Sequence, residues 1–456
     1  MRSFLILLLG ALILGFMALY NGYPLTYPDT GTYIRSGFTG EVPLDRPLTY
    51  GLFLRHSSLS DTLWLTLFFQ CLLSAWCVRF FIRSFVTRFP QDLLFLGSLV
   101  VLALFTSASQ KTSTLLPDFI TAPLGLLLVA WLLKPPAGWP DRIISGIILV
   151  YGLTMHTSHL YIALLAIALM LLLRLRKSSS LRAIEWKRAG WATAFIVVGF
   201  LLLGLVNLGH TGRFFTSQSR HIFLMHRLAD AGLAEEFLDR HCAEKNYVLC
   251  PYKDSLSQID FLWDYGRSAL YKTGGWEQSP AEYDRIIGDM LKDPHMLKRI
   301  AMKSAEYSIR QFFDFRMDLG SENPEQGPGS PSQQEVDKYF HHELRAIASS
   351  LQNNNALDYS WLNRAQQLLV IFSWCVLGLL FGWKRLREAY PQLCALAAAV
   401  TIFCLANAII CGTLATFLPR FQTRVIWLFP LLLFVILAET GVLGRIAERV
   451  KRLFTI

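Results

Sequence analysis

Long apolar runs separated by short basic segments fill most of this chain, and no soluble fold accommodates them. Several runs approach the roughly 20 residues that cross a bilayer as helix. Only 17% of the 456 residues are charged and 53% are hydrophobic, against about 25% charged in a soluble domain. Mean hydropathy is +0.38. The pattern predicts an all-α, multi-pass integral membrane protein. Its first run, Phe4 to Tyr20, follows Arg2 as a signal peptide would. It runs into the bulky "ALYNGYP" without a small-residue cleavage site, so it reads as a retained helix.

The formal charge of +10 is a topology signal and argues for no nucleic-acid partner. Basic residues gather between apolar runs, at Arg79/Arg83/Arg88, Lys134/Arg142, Arg174 through Arg188, Lys384/Arg385/Arg387 and Arg445 through Arg452, as the positive-inside rule requires. About ten transmembrane helices are expected, near 4–20, 62–82, 92–107, 118–133, 142–155, 158–174, 190–208, 365–382, 392–417 and 424–442. Both termini are then cytoplasmic. Two of the connections, "TMHTSH" (154–159) and "LFTSASQKTSTLLPDF" (104–119), must be turns at or below the outer surface. Irregular backbone at that depth needs surrounding protein or a wet cavity.

This layout divides the chain into an N-terminal bundle of about seven helices over 1–208, with a first outward loop at 21–61. An inserted, mostly helical extracytoplasmic domain follows over 209–363, and about three helices over 364–456 complete the chain. The insert is slightly acidic, and "EYDRIIGDMLKDPHMLKRIAMKSAEYSIRQFFDF" repeats apolar residues at helical spacing. "SENPEQGPGSPSQQE", Ser321 to Glu335, reads as a mobile loop. Six of the eight cysteines lie in or at the ends of apolar helices as packing residues. Cys242 and Cys250 alone fall in the insert, where an oxidising compartment would let them form a short disulfide. The alternative is two unlinked thiols. No Cys/His spacing suggests a metal site.

The outward segments collect charge that insertion into a bilayer penalises by about 2.5–3.5 kcal/mol each. The first loop brings Asp29, Tyr33, Asp45 and Arg46. The second brings Lys111 and Asp118, the third His156 and His159, and the last Arg420 and Arg424. One reading is structural, with carboxylates and cations pairing to hold helices together. The other is a cationic cavity at the outer leaflet with a free carboxylate, suited to an anionic lipid phosphate. His156 and His159 would bind phosphate or relay protons, or be satisfied by backbone carbonyls. Tyr20, Tyr23, Tyr27, Tyr33 and Trp427 read as an interfacial aromatic belt.

An acidic residue in the loop after the first helix, here in "YPDTGTYIRSGF", together with the late "PRFQTRVIWLFPLLL", resembles the GT-C glycosyltransferases, in particular their polyprenyl-phosphate-sugar-dependent members. The likeness covers the first loop, the helix layout and the late segment, and does not extend to the insert. It implies inverting transfer of a sugar from a lipid-linked phosphate to an extracytoplasmic acceptor: a glycan, a lipid or a protein. Carried onto this chain, it makes Asp29 the general base, with Asp45 as second candidate, and Arg420 and Arg424 the donor-phosphate ligands. Tyr33, Arg46, Lys111, Asp118, His156 and His159 would line the substrate site. Pro28 and Gly31 suit a turn presenting Asp29, and Asp29 capping the following helix is the competing role. Lipid-diphosphate-dependent members pair acids around a divalent metal, and this loop has no such pair. The expectation is a monophosphate-linked donor, no cofactor besides that lipid, and a divalent metal left open. The setting expected is a bacterial inner membrane. Rival functions are a transporter or flippase of an anionic lipid or solute, an assembly scaffold acting through the insert, and another lipid-dependent transferase.

Overall fold

The computed structural model describes residues 2–176, 179–278, 280–317 and 329–454. Among these the secondary structure is helical, apart from one isolated parallel bridge between Leu25 and Thr114. Six helices are long and apolar enough to cross a membrane: Leu63–Phe85, Thr157–Arg174, Trp186–Thr211, Ser360–Gly382, Pro391–Leu414 and Pro419–Glu439, the last with a break at Trp427. Arg2–Leu14, Gln91–Phe105 and Pro117–Leu133 are apolar but shorter, as is Trp139–Thr154. The ten expected places are therefore all helical, and six of them reach spanning length.

Burial sorts these helices into layers. In Pro391–Leu414 and Pro419–Glu439, 72% and 89% of the apolar window is enclosed, so they form the centre. Trp186–Thr211 and Ser360–Gly382 are enclosed over only 33% and 28%, which leaves apolar faces for lipid. From Thr106 onward the connection over 104–119 is enclosed by protein, as a turn below the surface requires. It contains the short helix Ala108–Ser113 and a 3-10 turn at Pro117–Ile120, and every residue from Thr106 to Leu132 is buried. Buried polar backbone there is matched by protein partners: Ser107 N–H donates to Gln366 Oε1 at 2.7 Å, and Gln70 Nε2 donates to the Thr112 and Thr114 carbonyls, both at 3.0 Å.

The inserted stretch is not uniform. A separate apolar core, which includes Ile222, Phe237, Tyr283 and Met296, closes a small helical unit. Cys242 and Cys250 are disulfide-bonded within it, with Cα atoms 5.8 Å apart. In contrast, Phe315, Val336, Phe340 and Ile347 belong to the same core as the bundle. Part of the expected mobile loop falls at 321–328, outside the described residues. The rest departs from expectation, because Ser330 caps Gln333 N–H and Pro331 occupies the first turn of the helix Pro331–Tyr339.

That helix seats on the first-loop helix Pro28–Thr39, and the contact depends on Gly31. A Cβ there would lie 2.8 Å from the Pro331 carbonyl oxygen, so Gly31 serves close packing within a helix and makes no turn. Pro28–Thr39 in turn crosses Thr49–Ser57 at Gly37, where a Cβ would collide with the Gly51 carbonyl oxygen. The two crossings fold the first loop into a compact hairpin carrying Asp29, Asp45 and Arg46.

Candidate functional site

The extended segment 23–27 sets where Asp29 goes. Leu25 pairs with the buried connection through Leu25 N–H to Ser113 O at 2.9 Å and Leu115 N–H to Leu25 O at 2.8 Å. On its other side the Gln352 amide imitates a strand, accepting from Thr26 N–H at 3.0 Å and donating to Thr26 O at 2.8 Å. The helix then starts at Pro28. Thr30 supplies the side-chain cap, its Oγ1 accepting from Tyr27 N–H at 2.9 Å. Asp29 is thus in the first turn, where the helix dipole favours an anion by about 0.3–1 kcal/mol, but it is not the cap. Its carboxylate is released for a different use.

That use is an ion-pair cluster joining the two ends of the chain. Arg46 Nη1 meets Asp29 Oδ1 at 3.0 Å, and Arg420 Nη2 meets Oδ2 at 3.1 Å. Arg46 also donates through Nε to Asp45 Oδ2 at 3.0 Å, with a second contact through Nη2, and lies over the Tyr33 ring at 5.2 Å. Asp45 is therefore tied to its sequence neighbour. Arg420 stacks over Tyr27 at 4.3 Å, and its Nε and Nη1 are buried with no partner among the described residues. Burial alone would push the Asp29 carboxyl up, but the two guanidinium groups outweigh it and hold it at about 2. Burial also drives the Tyr33 hydroxyl well above its ordinary range.

Deeper in, Arg424 is enclosed. It pairs with Asp118 at 2.8 Å, and both side chains are nearly inaccessible, at 0% and 4% exposure. Its remaining donors reach Asn407 Oδ1 at 3.0 and 3.1 Å and Ser158 Oγ at 3.2 Å. Arg424 is a structural strut in this state, unlike Arg420 one helical turn earlier. His159 is likewise satisfied, between Thr121 Oγ1 at 2.8 Å and Gly152 O at 2.9 Å. His156 caps its helix by accepting from Ser158 N–H at 3.1 Å. It lies within electrostatic reach of Asp118, as do Lys111 and Arg420.

A cavity of about 10 Å³, enough for about one water, lies against this cluster. Tyr27, Gln110, Lys111, Asp118, Gln352 and Arg420 line it, with Leu25, Thr26, Thr114, Leu116 and Tyr359. Gln110 Oε1 is buried with no partner among the described residues. Nothing in residue type or spacing marks Gln110, Gln352 or Tyr359, since the segments carrying them meet only in three dimensions. Tyr27 was assigned to an interfacial belt, yet it supports Arg420. Tyr23, Tyr33 and Trp427 are also no belt, being 0%, 2% and 2% exposed. Tyr23 instead donates to the buried Glu343 at 2.6 Å. Arg46, Arg420 and Arg424 thus engage Asp29, Asp45 and Asp118 among the described residues, and Lys111 lines the cavity beside them.

No family model matches the chain, and no curated protein does. Among solved structures, the crystal structure of ArnT from Cupriavidus metallidurans in the apo state is similar at 12% identity and a TM-score of 0.34, over 96% of this chain and 78% of that one.

Proposed function

We propose that this chain is an integral membrane glycosyltransferase of GT-C type, moving a sugar from a polyprenyl-phosphate donor to an extracytoplasmic acceptor. The observation that carries the reading is the ion pair between Asp29 and Arg420, which brings the first loop and the late helix Pro419–Ile426 to one cavity beside Lys111. A monophosphate-linked donor fits this site better than a diphosphate held through a divalent metal. Each carboxylate is engaged by a guanidinium group, which supports the same preference. In the reaction, the acceptor hydroxyl attacks the anomeric carbon from the face opposite the phosphate. Asp29 takes the hydroxyl proton, and the carbon–oxygen bond to phosphate breaks with its electron pair leaving on the phosphate. Arg420 and Lys111 neutralise that charge, so no second carboxylate acting as acid is required. The Cys242–Cys250 disulfide supports an extracytoplasmic insert, since such bonds persist in oxidising compartments.

The test is transfer from a labelled polyprenyl-phosphate sugar in membranes carrying Asp29→Asn. Loss of about 10²–10⁴-fold is expected for a general base. Full activity in folded protein removes the assignment. The unpartnered donors of Arg420 would serve an anionic-lipid carrier equally well, and movement of the labelled lipid with no product formed would decide for that reading.

A further inference from the structure

The two arginines on Asp29 are held very differently, and the asymmetry suggests a division of labour. Arg46 is anchored. Besides its 3.0 Å contact with Asp29 Oδ1 it makes two contacts with Asp45 and one with the Asp29 carbonyl at 3.4 Å. Arg420, which lines the cavity, touches Asp29 through Nη2 alone, and its Nε and Nη1 are buried with no partner among the described residues. An unsatisfied buried donor is costly, so the guanidinium is poised for an anion that supplies the missing acceptors. Its planar face rests on Tyr27 at 4.3 Å and near Phe421 at 5.1 Å, and such stacking tolerates sliding.

We propose that Arg420 works in two positions, on Asp29 in the empty site and on the donor phosphate once lipid is bound, so that donor binding itself uncovers the base. This rests on the reading of the cavity as the donor-phosphate site. Arg46, fixed by Asp45, keeps the carboxylate in place after Arg420 leaves. The exchange explains how a carboxylate clamped by two cations becomes able to accept a proton: losing one of them returns it toward ordinary basicity. It also imposes an order. Donor enters before an acceptor hydroxyl is activated, and the empty site does not activate water.

The experiment measures binding of a polyprenyl monophosphate to the full-length protein in nanodiscs, with the phosphate-free polyprenol as background. If Asp29 and the phosphate compete for one guanidinium, Asp29→Asn tightens binding about 5-fold or more, although it removes the base. Arg420→Ala weakens binding about 10-fold or more, and Arg420→Lys, which keeps the charge without the fork, falls between. Monodisperse elution shows that each variant folds, and Asp29→Ser replaces Asp29→Asn if the latter does not. Weakened binding by both Arg420 variants with unchanged or weaker binding by Asp29→Asn overturns the exchange and leaves the donor site standing. Wild-type binding by both Arg420 variants removes the donor site and the exchange with it.

Discussion

Arg424→Ala gives the most informative single perturbation, because its contacts place this residue in the fold whereas the resemblance to GT-C enzymes implies a role at the donor phosphate. Its side chain is inaccessible, and it holds Asp118 at 2.8 Å, Asn407 through two donors and Ser158 at 3.2 Å. Truncation strands a carboxylate that is 4% exposed. Breaking a buried pair from one side costs about 3–5 kcal/mol, whereas replacing both partners by apolar groups of similar volume is often neutral. Arg424→Ala should therefore lower unfolding free energy in detergent by about 3–5 kcal/mol, and Asp118→Leu with Arg424→Met should recover most of that loss. Tryptophan fluorescence through a denaturant titration reads both. An Arg424→Ala protein that loses less than about 1 kcal/mol, or a double variant no better than the single, refutes the reasoning. Normal stability with lost polyprenyl-phosphate binding would return Arg424 to the substrate.

Other outcomes follow from single contacts. Gly31→Ala drives a methyl group to 2.8 Å from the Pro331 carbonyl; a cost of about 1–3 kcal/mol and faster proteolysis near 329–340 should result. Cys242→Ser opens a loop of 8-residue separation and should destabilise the insert by about 2–3 kcal/mol, seen as a shift in its thermal transition. Asp29 is depressed from 3.8 to about 2 by its guanidinium partners, so its contribution, on the order of 2 kcal/mol, is present above about pH 4 and lost as pH falls through about 2. Acid titration of Asp29→Asn should lack that loss. Glu343→Gln removes a carboxylate that accepts from Tyr23, Thr62 and the Leu63 N–H, and should cost about 1–3 kcal/mol by loosening the insert from the first loop.

The meeting of Asp29 with Arg420 is legible in sequence because both fall in short segments between apolar runs, where isolated charges demand partners. Which arginine does what is not. Arg420 and Arg424 are four apart on one helix face, and only the positions of Asp118 and Asn407 make the second a strut. Composition misled at 329–335, where Pro, Ser and Gln suggested a loop although Ser330–Pro331 is a helix-start signature. Gly31 looked like a turn residue because a close crossing depends on a partner 300 positions away. Tyr23 and Tyr33 are buried where an interfacial belt is expected, while Tyr20 is exposed; the first loop folds inward against residues near Glu343 and Gln352, a contact no local pattern encodes.

The most direct measurement is a structure of the full chain determined with a polyprenyl monophosphate. The phosphate should lie within about 3 Å of Arg420 Nε or Nη1, with Asp29 facing the same opened cavity and still held by Arg46. Phosphate bound elsewhere, with Arg420 unmoved on Asp29, would contradict the account.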